Sequence, residues 1–97
     1  MRYEIILSSE AVEDLKQLEV HIRAKVKDLI KVPLRHEPTK TSKSRIKRLK
    51  GLRHPQYRLR IDEIRVFYDA EGDKVEILAI ILKSKATEWL EKSGEKI

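Results

Sequence analysis

The chain has 97 residues, of which 40% are hydrophobic, so it can bury one core and we expect a single domain spanning residues 1–97. It has no cysteine, which excludes disulfide frameworks and thiolate metal sites, and it has no apolar run approaching the roughly 20 residues of a transmembrane helix. The N-terminal residues lack the pattern of a signal peptide, so we expect a soluble, cytoplasmic protein with a formal net charge of +6.

The positive charge is concentrated in the middle of the chain. Residues 33–65 carry 11 basic and 3 acidic side chains, whereas residues 1–32 are neutral overall and residues 66–97 have a net charge of −2. A local excess of Lys and Arg attracts polyanions, so the sequence indicates nucleic acid or an acidic protein segment as the partner. The alternative is a basic surface that is merely solvated.

The N-terminal third predicts a strand followed by helix. Residues 2–7 have β-branched and aromatic character, and Ser9 is a candidate N-cap ahead of acidic residues in the first turns. Apolar residues then recur every three or four positions from Val12 to Ile30, which predicts amphipathic helix until Pro33 ends it. This segment is either one long helix or a helical hairpin broken near residues 18–20.

The remainder predicts a loop, four strands and a short helix. Residues 33–44 are polar and typical of an exposed loop, and residues 45–52 form a weak strand with Ile46, Leu49 and Leu52 pointing inward. Residues 75–82 are almost entirely apolar, so this strand is expected to be central and covered on both faces. Residues 85–92 resume helical spacing until Ser93-Gly94.

The segment from residue 56 to 69 predicts a β-hairpin that turns at Asp62-Glu63. In that register Arg60 lies opposite Arg65, and Arg58, Arg60 and Arg65 share one face, while the apolar residues Tyr57, Leu59, Ile61, Ile64, Val66 and Tyr68 share the other. Because like charges facing each other destabilise a sheet, this arrangement indicates an anionic partner.

These features resemble the RelE/ParE superfamily of bacterial toxins, and more specifically its RelE-like branch. The matching residues are Leu49-Lys50-Gly51, Tyr57-Arg58-Leu59-Arg60 and Ile64-Arg65-Val66-Phe67-Tyr68, together with the order of the elements. The resemblance implies an α+β, RelE-like (microbial RNase-like) fold with an N-terminal strand, a helical hairpin, an antiparallel sheet of further strands and a short C-terminal helix. It also implies a metal-independent endoribonuclease, without a cofactor, that cuts mRNA in the ribosomal A site.

The resemblance further implies partners and site residues. The partners are a cognate antitoxin, the ribosome and mRNA, and the toxin–antitoxin complex is expected to bind operator DNA through the antitoxin. The implied catalytic residues are Arg58, Arg60, Arg65 and Lys83. The expected RNA-binding residues are Lys43, Arg45, Lys47, Arg48, Lys50, Arg53, Lys85 and Trp89.

Two of these positions depart from the family pattern. Lys83 replaces an arginine and lacks its bidentate geometry, and Trp89 replaces a tyrosine that exchanges protons in some members. An indole can stack on a base but cannot transfer a proton, so Lys83 or Lys85 becomes a candidate base. His54 is a further candidate because it precedes Pro55 near the arginines.

Several alternatives remain open at the level of sequence. The chain is also compatible with a ParE-like toxin that poisons DNA gyrase, or with a weakened member retained as a binding module. Arg58 and Arg60 could instead pair with Glu63, Glu76 or Asp69, and Trp89 could be a core anchor. Phe67 could be a base platform or pack against the C-terminal helix. His21 and His36 are expected to be surface histidines, with no metal site.

Overall fold

A computed structural model describes residues 2–97. The main sheet has five strands, and two helices pack on one of its faces. The remaining elements form a third helix and a two-stranded sheet. The elements are β1 (Glu4–Leu7), α1 (Ser9–Gln17), α2 (Val20–His36), β2 (Ile46–Arg48), β3 (Leu52–His54), β4 (Tyr57–Ile61), β5 (Ile64–Glu71), β6 (Lys74–Leu82), α3 (Lys83–Ser93) and β7 (Glu95–Lys96).

The main sheet has the strand order β1-β6-β5-β4-β2, and β3 pairs with β7 in the small sheet. β1 runs parallel to β6, whereas all other neighbouring pairs are antiparallel. The predicted α+β fold class is therefore confirmed. The middle strand is β5, while β6, which the sequence predicted to be central, is an inner strand between β1 and β5.

The helical region is a hairpin, broken at Leu18 and Glu19 between α1 and α2. The N-cap of α1 is Ser8 rather than Ser9, because the Ser8 hydroxyl accepts a hydrogen bond of 3.1 Å from the Ala11 N–H. The prediction that Pro33 ends the second helix is wrong, since α2 continues through it to His36. Continuing the helix buries Leu34 completely, which offsets the hydrogen bond that a proline cannot donate.

Residues 45–52 do not form the single strand that was predicted. They contribute β2 to the main sheet and the first residue of β3 to the small sheet. Gly51 lies between the two strands with a φ of +77°, a left-handed backbone conformation that residues other than glycine rarely adopt. Of the three residues expected to point inward, Ile46 is buried, whereas Leu49 and Leu52 are half-buried.

Helix α1 covers the part of β6 that β1 does not reach. β1 pairs only with Lys74 to Ile77. Beyond this point the Ser8 hydroxyl donates to the Leu78 carbonyl over 3.1 Å, and the Ile80 N–H donates to Asp14 Oδ2 over 3.0 Å. These side chains satisfy the exposed backbone groups of the strand edge, which protects the edge from pairing with another chain.

None of the helices formed by residues 2–97 is both long enough and apolar enough to cross a bilayer.

Tyr68 connects the core to the loop that follows α2. Its side chain is fully buried, its ring stacks on Tyr57 at 5.5 Å, and its hydroxyl donates to the Pro38 carbonyl over 2.6 Å. Burial raises the pKa of Tyr68 well above its ordinary value, with a smaller contribution from Tyr57, so the hydroxyl stays protonated as a donor.

We expect Tyr68→Phe to lower the free energy of unfolding by about 1–2 kcal/mol, because it leaves the buried Pro38 carbonyl without its donor. Urea denaturation measures this change. Tyr57→Phe is the matched control, since the Tyr57 hydroxyl forms no hydrogen bond within residues 2–97, and we expect a much smaller effect. Equal losses in the two variants would contradict the importance of the Pro38 contact.

Candidate nucleic-acid interface

The β4–β5 hairpin has the register that the sequence predicted. Arg60 pairs with Arg65, Leu59 with Val66 and Arg58 with Phe67. Leu59, Val66 and Tyr68 belong to the core beneath the helical hairpin. Side chains alternate along a strand, so Arg58, Arg60 and Arg65 project from the opposite face of the sheet, which we call the cationic face.

The three arginines differ in burial and in how firmly they are held. Arg60 is exposed, Arg58 is half-buried and Arg65 is only 5% exposed. Nη1 of Arg65 donates to the carbonyl oxygens of Asp62 and Ile64 over 2.8 and 3.0 Å, which fixes its guanidinium. Nε of Arg58 is buried and has no hydrogen-bond partner among residues 2–97.

The carboxylates of the described residues do not neutralise the cationic face. Burial, followed by repulsion from Arg65 and Arg60, lowers the pKa of Arg58. Burial and then Arg60 lower the pKa of Arg65, although Glu63 opposes this shift. Within residues 2–97 none of the ion pairs closer than 4.0 Å includes these arginines. The predicted alternative pairing with Glu63, Glu76 or Asp69 is therefore wrong.

The turn of the hairpin is held from two sides. The Lys25 side chain of α2 forms an ion pair with Asp62, and the Lys83 N–H donates to the Glu63 carbonyl over 2.7 Å. Lys83 thus begins α3 beside the turn that joins Arg60 to Arg65, and its side chain is exposed. The structure brings this predicted site residue close to the cationic face.

Trp89 anchors α3 to the sheet. Its ring stacks on Phe67 with centroids 5.0 Å apart and planes inclined by 12°, and its indole N–H donates to Glu10 Oε2 over 3.4 Å. Phe67 is only 1% exposed, so it packs against α3 and is not a platform for a base. The core-anchor alternative for Trp89 agrees with this contact, and RNA binding by Trp89 stays a prediction.

The other predicted RNA-binding residues all lie in exposed segments. Arg48 already donates to the Gln56 carbonyl over 2.7 Å and lies over the Tyr57 ring at 5.2 Å, and Arg53 pairs with Glu95 at 3.2 Å. Lys47 pairs with Arg58 across β2 and β4, which extends the cationic face toward the sheet edge. The remaining residues of this group are also exposed: Lys43 and Arg45 in the loop before β2, Lys50 in the turn before β3, and Lys85 in α3. Their contact with RNA stays a prediction.

Sequence reasoning missed the partner of His54. Nδ1 of His54 lies 2.6 Å from Asp69 Oδ2, and the second oxygen of this carboxylate accepts from the Gln56 N–H over 2.8 Å. Strand alternation places Asp69 on the same face as Arg65, which was a usable signal. The position of β3 gave no such signal, because no local sequence pattern indicates that residues 52–54 pair with the last residues of the chain.

The two other histidines are exposed, as predicted, and His21 lies 3.1 Å from Glu19.

Several solved structures of similar fold come from toxin–antitoxin complexes. The RelB–RelE complex of Methanococcus jannaschii gives a TM-score of 0.67 at 24% identity, covering 87% of this chain and 96% of that one. The RelBE2 complex of Mycobacterium tuberculosis gives 0.71 at 23% identity over 84% and 99% of the two chains. The YoeB dimer of Staphylococcus aureus gives 0.59 at 24% identity over 81% and 94%. At these identities the likeness establishes the fold alone.

Sequence comparison establishes the family. No curated protein matches the chain. The sequence model of the ParE toxin of type II toxin–antitoxin systems matches residues 5–86, which is most of the chain. Together with the fold, this match means that the chain belongs to the ParE toxin family of type II toxin–antitoxin systems, within the RelE/ParE superfamily.

Proposed function

We propose that this toxin is a ribosome-dependent mRNA endonuclease. The observation that carries the proposal is the cationic face, where three guanidinium groups converge and no carboxylate lies within 4.0 Å of them in residues 2–97. Such a cluster is electrostatically unfavourable in the free protein. A bound phosphate would relieve the repulsion and would supply an acceptor for the unpartnered Nε of Arg58.

The arrangement suits attack of a ribose 2′-hydroxyl on the adjacent phosphate. This reaction adds negative charge to the phosphoryl oxygens, and fixed cations stabilise that charge more than mobile ones do. Arg65 is held by two backbone carbonyls, so it needs little reorganisation during the reaction. Arg60 and Lys83 are exposed and would align the RNA phosphates on either side of the reacting one.

The basic segments beside the cationic face support a ribosomal substrate. Exposed basic residues in the loop, in β2 and in the turn before β3 extend the positive surface well beyond one phosphate. Positioned charge is sufficient to contact a nucleic-acid backbone, and ribosomal RNA provides a large one. We therefore assign the outer basic residues to docking and Arg58, Arg60, Arg65 and Lys83 to the reaction.

A cognate antitoxin would counter the toxin through charge. A partly disordered segment with acidic and apolar residues could cover the cationic face, which would exclude RNA until the antitoxin is degraded. We propose that the resulting complex binds operator DNA through the antitoxin.

Primer extension on a defined mRNA in a reconstituted translation system tests the proposal. With ribosomes stalled at a known codon, we expect cuts confined to the A-site codon, and none without ribosomes. Arg60→Ala should reduce cleavage by about 10-fold or more, because it removes a charge from the site. Lys27→Ala is the matched control, since this exposed lysine lies on α2, on the other side of the sheet.

The second candidate function is inhibition of DNA gyrase without cleavage of RNA. It is favoured by the family match, which is to ParE toxins. A folded protein that arrests growth, leaves A-site codons intact and inhibits supercoiling would support this function and would overturn the nuclease proposal.

A further inference from the structure

The turn between β4 and β5 places a carboxylate beside the cationic face. The Asp62 carbonyl accepts a hydrogen bond of 2.8 Å from Nη1 of Arg65, so the Asp62 side chain begins close to that guanidinium. Asp62 and Glu63 are exposed, whereas the flanking residues Ile61 and Ile64 are only 5% and 4% exposed. The core therefore fixes both ends of the turn but does not fix the direction of the Asp62 side chain.

Lys25 of α2 sets that direction. Its ammonium group forms an ion pair with Asp62 Oδ2, which is the only ion pair closer than 4.0 Å that Asp62 makes within residues 2–97. Because α2 packs on the core side of the sheet, this contact draws the carboxylate toward the helices and away from the arginines. The two side chains remain 55% and 68% exposed, so the pair adds little to stability, and its main consequence is where the negative charge lies.

The backbone restricts which residues can occupy this turn. The φ of Asp62 is +50°, and no other residue except glycine has a positive φ within residues 2–97. Aspartate and asparagine are among the few residues that tolerate this conformation. Of the two, aspartate is the less favourable beside a surface that binds phosphate, because its carboxylate can compete for the same guanidinium groups.

We propose that Lys25 is a positioning residue of the nuclease, which holds the Asp62 carboxylate away from the cationic face and so keeps Arg65 and Arg60 available for RNA phosphates. Without Lys25, rotation about the Cα–Cβ bond of Asp62 brings the carboxylate within reach of Arg65, which already binds the Asp62 carbonyl. Arg60 is exposed and precedes Asp62 by two residues, so its side chain can also reach the freed carboxylate. The inference deepens the proposed function and rests on it.

The other charged residues at the turn do not replace Lys25. Lys83 contributes its backbone N–H, which donates to the Glu63 carbonyl over 2.7 Å, and its side chain forms no ion pair closer than 4.0 Å within residues 2–97. The charge of Glu63 already opposes the lowering of the Arg65 pKa. A second carboxylate near Arg65 would further neutralise the charge that the reaction needs.

The test compares Lys25→Gln, Asp62→Asn and the double variant in the ribosome-dependent cleavage assay. Glutamine has no charge to hold the carboxylate, so we expect cleavage at saturating ribosome concentration to slow about 5-fold, the effect of one carboxylate pairing with an exposed cation. Asp62→Asn should cleave within about 2-fold of the wild-type rate, and the double variant should recover that rate. Lys27→Gln is the matched control, since Lys27 is exposed on the same helix and makes no ion pair closer than 4.0 Å within residues 2–97.

The pattern across the variants separates this role from two others. If Asp62→Asn slows cleavage as much as Lys25→Gln, the ion pair anchors the turn, and the proposal is overturned. If the double variant is as slow as Lys25→Gln, Lys25 contacts RNA itself, which also overturns the proposal. The melting temperature and the affinity for stalled ribosomes should stay at the wild-type values, and a loss of either in Lys25→Gln would show a structural or docking role instead.

An NMR measurement tests the inference without catalysis. The Nε–H signal of Arg65, assigned by its absence in Arg65→Met, should shift in Lys25→Gln and return to its wild-type position in the double variant. An unchanged signal in Lys25→Gln would mean that the carboxylate does not approach Arg65 and would overturn the inference. Absence of cleavage by the wild-type protein, with the signal shifting as expected, would overturn the proposed function and leave the effect of Lys25 on the cationic face standing.

Discussion

Replacing Arg65 by methionine is expected to abolish cleavage of ribosome-bound mRNA while leaving the protein folded. Arg65 is 5% exposed and fixed by two carbonyl groups, so its charge is preorganised for a phosphate. Removing such a group from a site that excludes water slows a reaction by about 100- to 1,000-fold. Primer extension on stalled ribosomes measures this loss.

Two opposing effects on stability follow from the surroundings of Arg65. Burial and the neighbouring Arg60 lower the pKa of Arg65 in the folded chain. A base whose pKa is lower in the folded than in the unfolded chain destabilises the fold at every pH below its folded pKa, which includes neutral pH. Methionine fills a similar volume without charge, which removes this cost, but it also leaves the carbonyl oxygens of Asp62 and Ile64 without their donor. We therefore expect a cooperative unfolding transition with a melting temperature within about 8 °C of the wild-type value, the range that ~1 kcal/mol spans in a domain of this size.

A control separates this effect from a general effect of removing arginine. Arg2 is exposed and precedes β1, at the opposite edge of the sheet from β2. Arg2→Met should change neither the melting temperature nor cleavage. A marked loss of stability in Arg65→Met would show instead that the hydrogen bonds from Nη1 outweigh the cost of burying the charge.

The hairpin was predictable because its signals are local. Two-residue alternation, a turn at Asp62-Glu63 and the core pattern of Leu59 and Val66 together allow only one register, and a slip by one residue would bury the arginines. The helical hairpin was predictable only in part. Apolar spacing identified the helices, but the prediction that Pro33 ends α2 was wrong. Burial of Leu34 in the folded protein outweighs the backbone hydrogen bond that Pro33 cannot donate.

The site was less predictable than the fold, because its geometry depends on contacts distant in sequence. The cationic face could be deduced from the hairpin alone. By contrast, His54 meets Asp69 only because residues 52–54 pair with the last strand instead of continuing β2. Similarly, the N–H of Lys83 reaches the hairpin turn because α3 begins where β6 ends.

Trp89 holds α3 against the sheet, so Trp89→Ala is expected to have the largest effect on stability of the changes considered. The variant loses the stack between the Trp89 and Phe67 rings, whose centroids are 5.0 Å apart. It also exposes Phe67, which is only 1% exposed in the wild-type protein. No residue of α3 is fully buried, so few other contacts replace this one. We expect a loss of about 2–3 kcal/mol in the free energy of unfolding, toward the lower end for truncation of a buried aromatic ring.

Trp89→Tyr distinguishes the anchor from a role in the reaction. Tyrosine retains an aromatic face for Phe67 and restores the hydroxyl found at this position in the family, so stability should fall by less than about 1.5 kcal/mol. Urea denaturation gives the stability, and amide exchange of residues 83–93 shows whether α3 has detached. If α3 stays protected in Trp89→Ala, the stack is not what holds the helix. If Trp89→Tyr raises the cleavage rate, the position faces the scissile phosphate and proton transfer can be supplied from α3.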